Sequence, residues 1–270
     1  MLLVGASGPA TARQAPAPSA TLVTSASHAA PSPATASPAA APTATDRLGE
    51  QWWADRHRQI LANIAAGADP TVVLIGDSIT NNYDKATLPD ENFAATWARY
   101  YAPRRALNLG FSGDTTANVL WRLRHGEVDG IRPTVAIVLI GTNDTAGAGR
   151  TAAQTEAGID AVTSDLKHRL PATKILLLGL LPSAITATKS ATDRAVNVYL
   201  ARHYAADPRV SYRDIGKIFE RADGTLDASL FYDPRLPQHG KPLHPDTHGQ
   251  RRMAQALEPT LAKLLGQPAR

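Results

Sequence analysis

Five short apolar runs punctuate the chain, and each stops abruptly at glycine or small polar residues. Thr71-Val72-Val73-Leu74-Ile75 stops at Gly76-Asp77-Ser78-Ile79-Thr80, and Ala106-Leu107-Asn108-Leu109 stops at Gly110-Phe111-Ser112-Gly113. The most continuous run, Val135 to Ile140, stops at Gly141-Thr142-Asn143-Asp144. Lys174 to Leu178 closes at Gly179-Leu180-Leu181-Pro182-Ser183, and Val210-Ser211-Tyr212-Arg213 is a shorter fifth run. Unbroken aliphatic and β-branched runs of this length predict strands buried on both faces, as in a parallel sheet.

Between the runs the pattern changes to a helical period. Trp52, Arg56, Ile60 and Ile64 recur at helical spacing up to Gly67, a C′ glycine ahead of Asp69-Pro70. They predict a cover helix in which Trp52 and Trp53 serve packing rather than ligand stacking. Further helices are expected after Ser78, in part of Asn92 to Ala102, and over Thr115 to His125, where Val119, Leu120 and Leu123 share a face. Thr151 to Leu170 carries Ile159, Val162 and Leu166 on one side; Ala191 to Ala206 and Thr247 to Leu265 follow, the last with Thr247 and Gln250 at capping-box spacing. Strands alternating with helices predict a three-layer α/β/α sandwich around a five-stranded parallel sheet with right-handed crossovers. Such sheets bind ligands at the carboxyl ends of their strands, where Ser78, Gly113 and Asn143 all fall.

Composition divides the chain at Asp46. Residues 1–45 are nearly all Ala, Pro, Ser and Thr and cannot bury enough apolar surface to fold. The opening Met1-Leu2-Leu3-Val4 lacks a basic n-region and a long apolar stretch before Ala10-Thr11-Ala12, which predicts the remnant of an export signal followed by a disordered tether. The expected location is periplasmic or secreted. Residues 46–270 form the expected domain, and with 43% hydrophobic residues in the chain they can build a sizeable core. No stretch approaches the roughly 18 apolar residues of a membrane span. The net charge is +4, but Arg and Lys are interleaved with Asp and Glu without aromatic partners, which argues against a nucleic-acid ligand. The absence of cysteine removes disulfides, thiolate metal sites and a cysteine nucleophile.

The chemistry then falls to serine. A serine hydroxyl needs an adjacent base, and the oxyanion formed on attack at an ester carbonyl needs donors held in place. Gly76-Asp77-Ser78 alone is equally good turn or helix-cap chemistry, Gly113 alone a turn glycine, and Asn143 alone a turn residue. For the base the C-terminal region offers His239, in a Gly/Pro loop, His244, and His248, in the first turn of the last helix.

Taken together, Gly76-Asp77-Ser78-Ile79-Thr80, Asn108 to Thr116, Gly141-Thr142-Asn143-Asp144 and Leu243-His244-Pro245 resemble the four blocks of the SGNH (GDSL-type) hydrolases, in order. Gly113-Asp114-Thr115-Thr116 through Val119-Leu120-Trp121-Arg122-Leu123, with Leu178 to Pro182, are similar to the platelet-activating-factor acetylhydrolase catalytic-subunit branch. The resemblance covers about Thr71 to Leu265 and implies the flavodoxin-like fold of that superfamily. It implies Ser78 as nucleophile, an oxyanion hole of the Ser78 and Gly113 N–H groups with the Asn143 amide, and His244 as general base. It implies no metal or organic cofactor, and a homodimer.

The same resemblance implies an aspartate three residues before the histidine, where a carboxylate would orient the imidazole. Lys241 stands there instead, and a lysine cannot accept the imidazole N–H. Another acceptor can take the role: Asp233 from the preceding loop, a backbone carbonyl, or Asp246, which is equally placed to cap the last helix. A Ser78–His244 dyad and a site that only binds are the other outcomes. Asp77 and Lys241 are thus supporting residues of the expected site. The function expected is a serine esterase that removes a small acyl group, such as acetyl, from a carbohydrate or polysaccharide through an acyl-serine. O-acyl transfer to a sugar and a catalytically silent glycan-binding protein are the alternatives.

Overall fold

A computed structural model describes residues 39–86, 91–231 and 241–270. The five apolar runs are the five strands: β1 (Val72–Gly76), β2 (Ala106–Gly110), β3 (Val135–Leu139), β4 (Lys174–Leu178) and β5 (Val210–Arg213). They form one parallel sheet in the order β2-β1-β3-β4-β5, so the chain crosses over between β2 and β3 and the topological switch falls beside β1. β1 and β3 are buried along their whole length, the reason they are unbroken in apolar residues. The register aligns the strand ends, Gly76 opposite Gly110 on one side and Leu139 on the other.

Alternate side chains of each strand feed two cores, one on each face of the sheet. Val73, Ile75, Val138 and Leu177 pack with Trp53, Leu120, Ile159 and Val196 from α1 (Gln51–Ala65), α4 (Thr116–Arg124), α6 (Ala152–Arg169) and α7 (Ala187–His203). Val72, Leu74, Ile137 and Leu176 pack on the other face with Tyr100 of α3 (Ala94–Tyr100) and Met253, Leu257 and Leu261 of α8 (Thr247–Leu265). Two single-turn helices, α2 (Ser78–Asn81) and α5 (Thr142–Thr145), continue directly from β1 and β3. Among the described residues no helix is long and apolar enough to cross a membrane.

Two local expectations change. The inward face of α1 is Trp53, His57 and Ile60, which keeps Ile60 of the expected stripe but puts the next residues in place of Trp52 and Arg56, and Trp52 is 41% exposed. Buried polar partners draw that face inward, because the Trp53 indole N–H donates to Asp114 Oδ1 at 2.9 Å. At α8 the cap is Asp246, whose Oδ1 accepts the Gly249 N–H at 2.7 Å. Thr247 is the first residue of the helix, so the Thr247/Gln250 capping box is not formed.

Candidate active site

β1 ends at a residue with no room for a side chain, since a Cβ on Gly76 would lie 2.3 Å from the Leu139 carbonyl oxygen and 2.4 Å from Thr80 Oγ1. The chain turns at once into α2. Asp77 caps it, with Oδ1 accepting the Ile79 N–H at 2.9 Å, and this sets Ser78 at the first helical position. Ser78 Oγ lies 2.8 Å from His244 Nε2, and both residues are buried.

His244 arrives from the far end of the sequence on the loop before α8. Four contacts fix that loop. Pro245 forms a β-bridge with Phe231, the Asp246 N–H donates to the Leu230 carbonyl at 2.9 Å, and Asp246 caps α8. Buried Gln250 then donates from Nε2 to the Ile79 carbonyl at 2.7 Å, tying the first turn of α8 to the serine turn. Asp246 takes the other role expected of it: its Oδ1 is engaged at the helix N-terminus, where a negative charge is favoured. Lys241 points elsewhere, its Nζ donating to the Ile185 carbonyl at 2.9 Å on the exposed side of the loop. Asp233 and His239 lie outside the described residues. His248 is exposed, with Nδ1 3.0 Å from an N–H group of Arg251.

The second strand end supplies Gly113, whose φ of +81° lies in the left-handed region that a glycine adopts without strain. Arg47, ahead of α1, brackets it by donating to the Ser112 carbonyl at 2.7 Å and to Asp114 Oδ1 at 2.9 Å. Asp114 also receives the Arg122 Nε–H at 2.8 Å. Arg122 is fully buried. It donates to the Leu109 carbonyl at 3.1 Å and the Gly76 carbonyl at 3.4 Å, pairs with Glu127, and lies 4.1 Å from the Phe111 ring centroid. One guanidinium thus joins the ends of β1 and β2 to the Gly113 loop.

The third strand end supplies Asn143 in α5. Its Nδ2 donates to the Asp114 carbonyl at 2.8 Å, which holds the amide against the Gly113 loop and leaves its second N–H for a ligand. Asp144 accepts the Thr116 N–H at 3.0 Å and hydroxyl at 2.7 Å, fastening α5 to α4. From α7, the buried Lys189 ammonium donates to the Thr142 and Thr145 hydroxyls, each at 3.0 Å, and to Asp193 Oδ2 at 2.6 Å.

Burial makes this polar cluster electrostatically tense. The Asp77 carboxyl is pushed up to about 7 by burial; the Ile79 N–H and Lys189 oppose the rise, while the Asp114 and Asp144 charges add to it. Burial also raises Asp114, against Arg122 and the Trp53 N–H, and Asp144, against its two bonds from Thr116.

The structure therefore brings Ser78, His244, Gly113 and Asn143 to adjacent strand ends. Arg47, Trp53, Arg122, Lys189 and Gln250 support them and were not expected from the sequence. Only Arg122 carried a signal, since it stands within the Val119 to Leu123 block of the acetylhydrolase resemblance.

A buried serine–histidine pair at the carboxyl edge of a parallel sheet in this strand order defines a serine-esterase type of hydrolase. The sequence model of the GDSL-like lipase/acylhydrolase family matches residues 74–252, and the chain belongs to that family. It is 32% identical over 223 residues to platelet-activating factor acetylhydrolase IB subunit alpha1 of Homo sapiens and of Bos taurus, covering 82% of this chain and 88% of each relative. Subunit alpha2 of Gallus gallus is 31% identical over 191 residues, covering 70% of this chain and 78% of that protein. A solved GDSL-like lipase from Bacteroides thetaiotaomicron shares the fold at a TM-score of 0.59 and 17% identity, covering 77% of this chain and 97% of that one.

Proposed function

We propose that this esterase removes small acyl groups, acetyl foremost, from an exported carbohydrate. The observation that carries the chemistry is the 2.8 Å contact between Ser78 Oγ and His244 Nε2. In the proposed reaction Ser78 Oγ bonds to the ester carbonyl carbon while His244 Nε2 takes the hydroxyl proton. The Ser78 and Gly113 N–H groups and the free Asn143 N–H receive the negative oxygen. Collapse breaks the bond to the alcohol, which leaves with the proton from His244. Water, deprotonated by the same imidazole, then attacks the acyl-serine and releases the carboxylate and free Ser78.

The small acyl group is supported by the relatives, which are named acetylhydrolases. The carbohydrate is supported by the surface. Among the described residues the exposed large hydrophobics are Leu48, Trp52 and Val198, too few for the apolar patch that docking on a lipid surface requires. An acetylated lipid is the second reading, favoured by the relatives' printed name. A periplasmic or secreted location is part of the proposal and rests on the N-terminal sequence.

The test is hydrolysis of p-nitrophenyl acetate, acetylated polysaccharide and an acetylated lipid, together with covalent labelling by an organophosphonate. Native protein is expected to turn over the aryl ester and release acetate from polysaccharide, and Ser78→Ala to lose turnover and label together. Undiminished activity in Ser78→Ala removes Ser78 as nucleophile. Inactive native protein that does not label would instead make this a silent binding protein.

A further inference from the structure

The first turns of α8 form one wall of a cavity of 460 Å³ whose other walls are the end of α3 and the segment around Leu230. Among the described residues its lining holds the guanidinium groups of Arg99, Arg251 and Arg252 with the His248 ring and no carboxylate, and its floor is Tyr100 and Leu230, both buried. None of the three guanidinium groups forms an ion pair among the described residues, although the Asp227 charge acts on Arg252. Arg252 donates to the Ile218 carbonyl at 3.2 Å, Arg251 lies 3.0 Å from His248 Nδ1, and Arg99 sits over the Tyr100 ring at 5.4 Å. The nearby acid, Asp227, is already engaged with the Ser229 hydroxyl and N–H and paired with Arg221.

Elsewhere on the surface several arginines are paired: Arg56 with Asp84, Arg58 with Asp55, Arg105 with Asp69 and Arg124 with Asp165. Other cavities balance their cations: the one lined by Arg194 and Lys217 also holds Asp193, Asp214 and Glu220, and the one lined by Arg132 and Arg169 also holds Asp129. Guanidinium groups gathered in a concavity without ion-pair partners repel one another unless an anion joins them, and their planar forks match carboxylates.

The place of the cavity ties it to the reaction. Leu230 accepts the Asp246 N–H, and Phe231 bridges Pro245, so one wall is joined to the residues that follow His244. α8 begins at Thr247, three residues after His244, so His248 lies in its first turn, and at about 1.5 Å per residue the wall from His248 to Arg252 extends roughly 6 Å along the helix. The arginines of α8 therefore lie on the flank of the helix that follows the histidine loop, and the segment that braces that loop forms their opposite wall.

Resting on the carbohydrate reading above, we propose that this groove binds the carboxylates of an acidic, uronate-bearing polysaccharide and presents its acyl esters to Ser78. An anionic membrane is a poorer match because none of the exposed large hydrophobics lines the groove. A nucleic-acid strand would need an exposed aromatic for its bases to stack on, and Tyr100, the aromatic in the lining, is 3% exposed.

The test compares native protein with Arg99→Gln/Arg251→Gln/Arg252→Gln on O-acetylated polygalacturonate and on O-acetylated xylan. The ratio of kcat/KM for the acidic polymer to that for the neutral one is expected to fall at least about tenfold in the variant. It should fall likewise for native protein near 1 M salt, where charges are screened beyond about 3 Å. Binding of deacetylated polygalacturonate to Ser78→Ala, by calorimetry at low salt, reads the groove without turnover. An unchanged ratio in the triple variant overturns the proposal, as does binding to phosphatidylserine vesicles with none to polygalacturonate. Native protein that binds polygalacturonate through these arginines but hydrolyses no ester supports the groove and sinks the esterase reading instead.

Discussion

Asp77 precedes the candidate nucleophile with one carboxylate oxygen on the Ile79 N–H and the other, Oδ2, without a hydrogen-bond partner among the described residues. A buried carboxyl in that position favours its neutral form, and its pKa rises from 3.8 to about 7 for the causes given above, burial first. Folding then binds a proton that the unfolded chain has released. The stability contribution is fully present below about pH 3.8 and is lost as pH rises through about 7. Asp77→Asn keeps the acceptor for Ile79 and removes the titration. Between pH 5 and 8 native protein should lose roughly 2–3 kcal/mol relative to this variant, read from urea midpoints at each pH. Parallel curves would show that Asp77 stays charged and that other groups set the slope. The residue scale is also where the sequence was most and least legible. Ser78, Gly113, Asn143 and His244 stand out because the four short blocks that carry them together resemble the SGNH hydrolases, although each alone is ordinary turn or loop chemistry. Arg47 and Gln250 stand in no such block: their partners lie 65 and 171 residues away, and nothing in a linear sequence links them.

At the scale of elements the five strands are legible to within a residue or so, and the central β1, β3 and β4 most plainly, because a strand buried on both faces has to be apolar throughout. The helix α1 shows what that logic misses. Its expected stripe through Trp52 and Arg56 treats hydrophobicity as the sole cause of burial, whereas the real face is set by Trp53 and by the ion pairs that surround it. The segment just before it, outside the matched family region of residues 74–252, supplies Arg47 to both sides of Gly113. Losing those two bonds should let the Gly113 N–H swing off its aim without disturbing Ser78 or His244. Arg47→Ala is therefore expected to lower kcat on p-nitrophenyl acetate about tenfold, the scale of one charge-assisted hydrogen bond, with little change in KM. Arg47→Lys, which keeps the charge but not the fork, should fall between. Titration with an organophosphonate counts competent serines: a loss of activity that only tracks a loss of sites would reduce Arg47 to a folding role.

Across the whole molecule α8 carries both the chemistry and the closure of the fold. It starts beside His244, packs Met253, Leu257 and Leu261 on the sheet, and near its far end buries Glu258 against Arg104. The pair is bidentate, at 2.6 and 2.7 Å, and the Arg270 N–H adds a third bond to the carboxylate at 2.7 Å. Burial works against the Glu258 charge, but the bonds from Arg104 and Arg270 prevail and hold its carboxyl below the ordinary 4.5. The sign is opposite to that of Asp77: this contribution is present above about pH 4.5 and is lost as pH falls through the depressed value. Stability should consequently peak at mildly acidic pH, between the loss of Glu258 below and of Asp77 above. Glu258→Ala leaves the Arg104 guanidinium buried without its partner, a defect that costs about 3–5 kcal/mol. For a domain of this size that is a fall in Tm on the order of 10 °C at neutral pH. The penalty should narrow on acidification, as native protein loses the same charge. Because Glu258 lies 11 residues along the helix from its first residue Thr247, roughly 16 Å at 1.5 Å per residue, kcat measured well below the transition should stay within about twofold. A matching fall in kcat at low temperature would mean instead that strain at the far end of α8 reaches the histidine loop.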